Sequence, residues 1–491
     1  MDPELRRLHK FDEKIQETAQ EFGLDFFPQE FDVIPAQKML EILAYHFPVN
    51  FSHWSFGRDY EREKTQHEYG LGIPYEVVLN SNPSRAYLMN TNPFPVQVMV
   101  MAHVYAHNDF MKNNSHFKPT RKDILPSASE AAIRFQKYEK RYGLVEVERV
   151  LDWGLSIELN TDPDFFIREE SEEQKKERLS ACPGVVETPG MYDDLIPRKK
   201  SDRPPEDYYN RKSPLEPERD VLLYIINHSP KPLREWEKDI LSILRDQARY
   251  FMPQRRTKIM NEGWATFWHM RIMDRLFQEG LLNAEEHGYY NLYNARVLAA
   301  NPRVLNPYLV GLRILEDIEE RWNKGRFGRE WEECEDPGKR EAWDLGLGQG
   351  REKVFEVRQC YSDRFFIEQF LTEKLVHDLN LYLYEGQQAD QEIRYVISER
   401  DWRRIRNLLV SHLSTFGIPL ITVEDGDYKG KRELYLKHAY DGIELDPEYR
   451  EKTMGYVFYL WDRPIHLESV VKEEKVVFTF DGDKHAMARS G

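Results

Sequence analysis

Cysteine is nearly missing from this chain: Cys182, Cys334 and Cys360 are the three in 491 residues. Three cannot build a disulfide framework, and none stand at metal-ligand spacing, which excludes a disulfide scaffold and a cysteine-ligated metal site. So sparse a count fits a reducing compartment. No run approaches the ~18–20 apolar residues that span a bilayer, so no membrane span is expected. The N-terminus, MDPELRRLHKFDEKIQETAQEF, scatters charge throughout and has no apolar core segment of a signal peptide, and a cytoplasmic location is expected. Positive charge is also short. The 69 Lys and Arg against 85 Asp and Glu leave −16, with no excess of cations to displace counterions from phosphates. That balance disfavours nonspecific nucleic-acid binding.

What is present describes a folded chain of two or three domains. Hydrophobic residues make up 41% and charged residues 31%, and the length allows a large buried core. The spacing of Leu5, Leu8, Phe11, Ile15 and Phe22 predicts a first helix. Tyr75-Glu-Val-Val-Leu-Asn and Arg85-Ala-Tyr-Leu-Met read as two strands joined by a turn at Asn82-Pro83, a small β-hairpin. Val96 to Phe110 is apolar all round and predicts a buried helix. Residues 168–219 shift to charge and proline and read as a surface insert. Helical spacing resumes at 233–251, about 257–280 and near 363–383. From about 392 the texture becomes α+β, with a helix around 400–414 and short alternating segments LITVED, RELYLKHAY, MGYVFYLW and KVVFTFDGD. The expected division is 1–167 and 220–390 as two halves of a main domain, 168–219 as the insert between them, and 391–491 as a C-terminal α+β domain with an antiparallel sheet.

Two motifs carry chemistry. His103-Val-Tyr-Ala-His107 places two imidazoles at i and i+4, on one face of the buried helix, where both can reach a single metal ion. Asn261-Glu-Gly-Trp-Ala265 opens an apolar helix on which Glu262, Thr266 and His269 share a face. A glutamate buried there costs several kcal/mol unless it is paired, protonated or bound to metal. The plainer readings are two hydrogen-bonded core histidines and a Glu262 stabilised by the helix dipole and by caps at Thr257 or Asn261.

The combination resembles the gluzincin metallopeptidases, in which an HExxH helix supplies two His ligands and a later NEGxA-type helix supplies a Glu. The resemblance implies His103, His107 and Glu262 as metal ligands and a mainly helical, zincin-like N-terminal core containing the hairpin. Val104 stands where a zincin has its catalytic Glu, so another base is required. His269, as acid/base or as a fourth ligand, and Glu68 are the catalytic candidates, with Asp109 the weakest because it lies about 200° round the helix from His107.

A longer likeness covers most of the chain. HVYAHNDFMKNN, PERDVLLYIINHSP and FMPQRRTKIMNEGWATFWH resemble the SpoVR family, named for stage V sporulation protein R. The resemblance implies a cytoplasmic protein of spore cortex formation or stress response, with a serine protein kinase and a von Willebrand-type protein as partners. It directs the chemistry toward an amide bond of a peptide or peptidoglycan precursor, cut with zinc. Two other classes fit the same residues: a non-catalytic regulator or scaffold in a kinase-linked pathway, and a non-haem iron enzyme, since a two-His, one-carboxylate set also serves iron.

Overall fold

Helix-spaced apolar runs dominate the chain, and the computed structural model places them as an α+β protein. It describes residues 3–45, 48, 51–68, 76–162, 173–175, 213–301, 304–389 and 392–489. The first elements are α1 (Pro3–Glu21), β1 (Gln29–Ile34), α2 (Ala36–Ala44), α3 (Trp54–Glu68), β2 (Glu76–Leu79), β3 (Ser84–Met89), α4 (Phe94–Asn113), α5 (Ile124–Tyr142) and α6 (Leu144–Leu155). Next come α7 (Val221–His228), α8 (Glu235–Arg256), α9 (Lys258–Gln278), α10 (Ala284–Val297), α11 (Pro307–Lys324), α12 (Arg329–Glu332), α13 (Pro337–Ala342), α14 (Gly350–Cys360), α15 (Asp363–Phe370) and α16 (Glu373–Asp378). The chain continues with β4 (Leu383–Ala389), β5 (Glu392–Glu399), α17 (Trp402–Thr415), β6 (Ile421–Tyr428), β7 (Glu433–His438), α18 (Pro447–Trp461), β8 (Ile465–Val471), β9 (Glu474–Phe480) and β10 (His485–Arg489). The predicted insert, 168–219, lies outside the described residues except at 173–175 and 213–219.

Two compact units result: Met1–Ile133 with Tyr250–Gly417, and Arg134–Arg249 with Ile418–Gly491. In the first, α4 is the central element. Every residue from Pro95 to Met111 is buried, because α1, α9, α10, α14 and the strands β2 and β3 all pack against it. Its valines are poor helix formers, and burial outweighs that: each buried Val or Met contributes about 1.5–3 kcal/mol. The expected hairpin is present as β2 antiparallel to β3, and β1 adds to β3 in parallel.

Helix α9 packs closely on α11 at a glycine pair. A Cβ on Gly263 would overlap the backbone of Gly311, and one on Gly311 would overlap the carbonyl of Ile259. Only glycine permits that approach. The start of α9 is held from a distance. Asp363, at the head of α15, accepts hydrogen bonds from the Ile259 and Met260 amides at 2.8 and 2.9 Å. Thr257 makes no side-chain cap, and its hydroxyl donates instead to the Pro253 carbonyl.

Two expected elements differ. The helix predicted near 363–383 is two short helices, α15 and α16, because Thr372 caps a new start by accepting from the Leu375 amide; strand β4 then begins at Leu383. MGYVFYLW, predicted as a short alternating segment, forms the end of α18. Met454, Val457, Leu460 and Trp461 are its buried residues, a three-to-four spacing that buries one helical stripe. As a crossover helix, α18 makes β7 and β8 parallel, so the five-stranded sheet, ordered β10-β9-β8-β7-β6, is antiparallel at its other pairings.

Candidate metal centre

The packing of α4 on α9 brings the two motifs face to face. His103 Nε2 and His107 Nε2 each lie 3.5 Å from Glu262 Oε2. His103 and His107 are 5% and 4% exposed, so water does not screen them. Glu76, at the start of β2, joins the group with Oε1 3.8 Å from His103 Nε2. Glu76, His103 and His107 each offer a ligand atom, all within 4.8 Å of one another. Strand alternation explains the placement, since Glu76 shares a face with Val78, and Val78 packs against the core.

The surrounding hydrogen bonds assign the tautomers. His107 Nδ1 lies 2.9 Å from Asn261 Oδ1, and an amide oxygen only accepts, so Nδ1 carries the proton. His269 Nε2 likewise donates to Asn294 Oδ1 at 3.1 Å. His269 Nδ1 is 2.8 Å from His103 Nδ1. Burial, reinforced by the neighbouring His103, holds the His269 pKa well below the usual histidine value, and the ring is neutral. Its Nδ1 therefore accepts, and His103 Nδ1 donates. Both ligand-motif histidines are left with an Nε2 lone pair aimed at the Glu262 carboxylate.

Lone pairs facing an anion at this distance repel unless a cation lies among them. His103 Nε2 and Glu262 Oε2 are buried atoms with no hydrogen-bond partner, which is what a missing cation leaves behind. In the ion-free protein a proton takes that place. Burial works to lower the His107 pKa, but the Glu262 carboxylate beside it outweighs burial and raises it. Burial alone would lift the Glu262 carboxyl; attraction to His103 and His107 prevails and holds it below the ordinary range. Glu76 is pushed up by burial against the pull of both histidines. The residues present fit a divalent metal: neutral imidazoles, carboxylates, and orphaned donor atoms that converge.

His269 lies behind His103, with both ring nitrogens engaged, and not among the converging atoms. Glu68 ends α3, and its side chain lies outside the described residues. Asp109 faces elsewhere. It accepts from the Asp25 amide at 2.8 Å and from Trp264 Nε1 at 2.9 Å, with Arg358 at 3.3 Å. Val104 is fully buried, so the position of the zincin base presents only apolar surface.

Several contributors escape sequence reasoning. Glu76 left a faint trace, as the lone acid in an apolar strand. Asn261 adjoins Glu262 in the motif but reads as a cap. Asn294, Tyr308, whose ring stacks on His103 with centroids 6.0 Å apart, and Asp363 left none, because their roles depend on which helices meet.

Among the described residues no helix is long and apolar enough to cross a membrane. No solved structure matches the chain. It is 30% identical over 482 residues to the Escherichia coli (strain K12) protein named "Uncharacterized protein YcgB", covering 93% of this chain and 90% of that one. The family model described as "SpoVR like protein" matches residues 2–418, and that of the "SpoVR-like C-terminal domain" matches 401–472. With its two helix motifs meeting inside the first of these regions, the chain belongs to the SpoVR family.

Proposed function

We propose that this SpoVR-family protein is a metal-dependent hydrolase that uses zinc to cut an amide bond in a peptide or peptidoglycan precursor, in spore cortex formation or a stress response. The observation that carries the reading is the convergence of His103 Nε2, His107 Nε2 and Glu262 Oε2, two of them orphaned, with tautomers already set for ligation. His103, His107 and Glu262 would hold the ion. A bound zinc supplies Lewis acidity, polarising a carbonyl and lowering the pKa of a water. The pairing of an HVYAH helix with an NEGWA helix, beside a small sheet, supports a zincin-like description of this core.

The chain's own residues prepare that site. Asn261 keeps the proton of His107 on Nδ1, and His269, held by Asn294, does the same for His103. Such partners orient ligands and set their basicity. Here they are neutral, so they leave the imidazoles less electron-rich than a carboxylate would. His269 is thus a positioning residue. Tyr308 stacks on the His103 ring, and the apolar walls of α4 exclude water from the back of the site.

The test is zinc content of protein purified without added metal, together with release of new amino termini from peptides and peptidoglycan stem peptides. About one zinc per chain, and cleavage abolished in a His103→Ala/His107→Ala double variant, support the proposal. Stoichiometric iron transfers the site to non-haem iron chemistry, which the two-His, carboxylate donor set also suits. No stoichiometric metal overturns the proposal in favour of a non-catalytic regulator in a kinase-linked pathway.

A further inference from the structure

We infer that Glu76 is a fourth metal donor, so that the resting site is a two-histidine, two-carboxylate set closed by a strand residue; the inference rests on the metal reading above and adds a ligand to it. Bonds of about 2.1 Å to a tetrahedral ion separate neighbouring donor atoms by roughly 3.4 Å. The separations here are 3.5 Å for His103 to Glu262, 3.5 Å for His107 to Glu262 and 3.8 Å for His103 to Glu76. The Glu76 oxygen is about 0.4 Å farther from its neighbour than a shared tetrahedral ion would hold it, and it lies within 4.8 Å of both histidine donors.

Charge points the same way. Two neutral imidazoles and two carboxylates sum to −2, which a divalent ion neutralises. The origin of the fourth donor matters too. His103, His107 and Glu262 come from the α4–α9 pair, whereas Glu76 begins a strand that, among the described residues, lies at the edge of its sheet beside β3. It is the donor with the least support. A closed set describes a storage or resting state, and an open position is what a substrate requires. Departure of Glu76 would create that position without disturbing the other three donors.

Competition titrations with zinc and a chromophoric chelator, on the full chain and its Glu76→Gln variant, test this. The expected result is one site in both proteins. Affinity in the variant should fall by at least the roughly 10–100-fold that loss of an outer-shell partner costs. The visible absorption of the cobalt(II) form should also change as solvent replaces a protein donor. Glu76→Asp, which keeps the charge and shortens the reach, should fall between them, and equal melting temperatures of the metal-free proteins separate ligation from folding. Unchanged affinity and unchanged cobalt spectrum in Glu76→Gln overturn the inference. If binding still requires His103 and His107, the metal reading survives that result. Failure of the wild type to bind zinc overturns both.

Discussion

Helices α4 and α9 bury two polar clusters, and the two are opposites. On α4, Asp109 lies two residues, or about 200°, round from His107. Both Asp109 oxygens are occupied, one by the Trp264 indole and the other by the Asp25 amide, with the Arg358 guanidinium beside it. Burial raises its pKa to about 6 against the pull of Arg358, yet the group is fully partnered. The other cluster, His103, His107, Glu262 and Glu76, leaves His103 Nε2 and Glu262 Oε2 without partners. Asp109 is fully buried and the Glu76 and Glu262 side chains are 16% and 19% exposed, yet it is in the second cluster that buried imidazole and carboxylate atoms lack partners. A buried polar group whose bonds close within the protein holds the fold, and one whose bonds stay open is waiting for something the chain does not supply.

Substitutions should separate the two clusters cleanly. Asp109→Ala leaves Arg358 buried without its counter-charge and should cost about 3–5 kcal/mol, read as a lower denaturant midpoint, with metal stoichiometry unchanged in the folded fraction. The His103→Ala/His107→Ala variant should instead lose the metal outright, with a smaller loss of ion-free stability from the unpaired Glu262, whose side chain is 19% exposed. If Asp109→Ala loses metal and keeps stability, the comparison is wrong. Next in size is Gly263→Ala, whose Cβ would overlap the Gly311 backbone. Overpacking there should cost about 1–3 kcal/mol and weaken metal binding, since Glu262 is the adjacent residue.

Asn261→Ala should leave thermal stability close to wild type and reduce zinc affinity by roughly 10–100-fold, because His107 loses the acceptor that sets its tautomer. An unchanged affinity would show that the ring is oriented by packing alone. A pH-dependent effect belongs to Asp363, which burial pushes up to about 7 despite its two backbone hydrogen bonds. The folded pKa lies above the unfolded one, near about 4, so its contribution to stability is full below that value and is lost as pH rises through about 7. The wild-type minus Asp363→Asn difference in metal-free stability should therefore shrink between those limits. A flat difference would remove this assignment.

Much of this was legible in the sequence where spacing carries the information. The i,i+4 histidines and the apolar run around them placed α4, and NEGWA placed Glu262 on α9. The EVVL and RAYLM stretches placed the hairpin. What was illegible depends on long-range meeting. Asn261 reads as a cap from its position, yet Asp363, about a hundred residues away, caps α9 and releases Asn261 for His107. Glu76 is one acid in a strand, and only the pairing of β2 with β3 beside α4 makes it a neighbour of His103. MGYVFYLW illustrates a local ambiguity: its aromatic and β-branched content suits a strand, while its buried positions follow a helical stripe.

The central claim is that one ion belongs among these side chains. Diffraction data collected above and below the zinc absorption edge, on crystals of protein grown without added metal, test it most directly. The account predicts an anomalous peak about 2.0–2.2 Å from His103 Nε2, His107 Nε2 and a Glu262 oxygen. An ordered site with no peak, its nitrogens and carboxylates hydrogen-bonded to one another or to water, would contradict it.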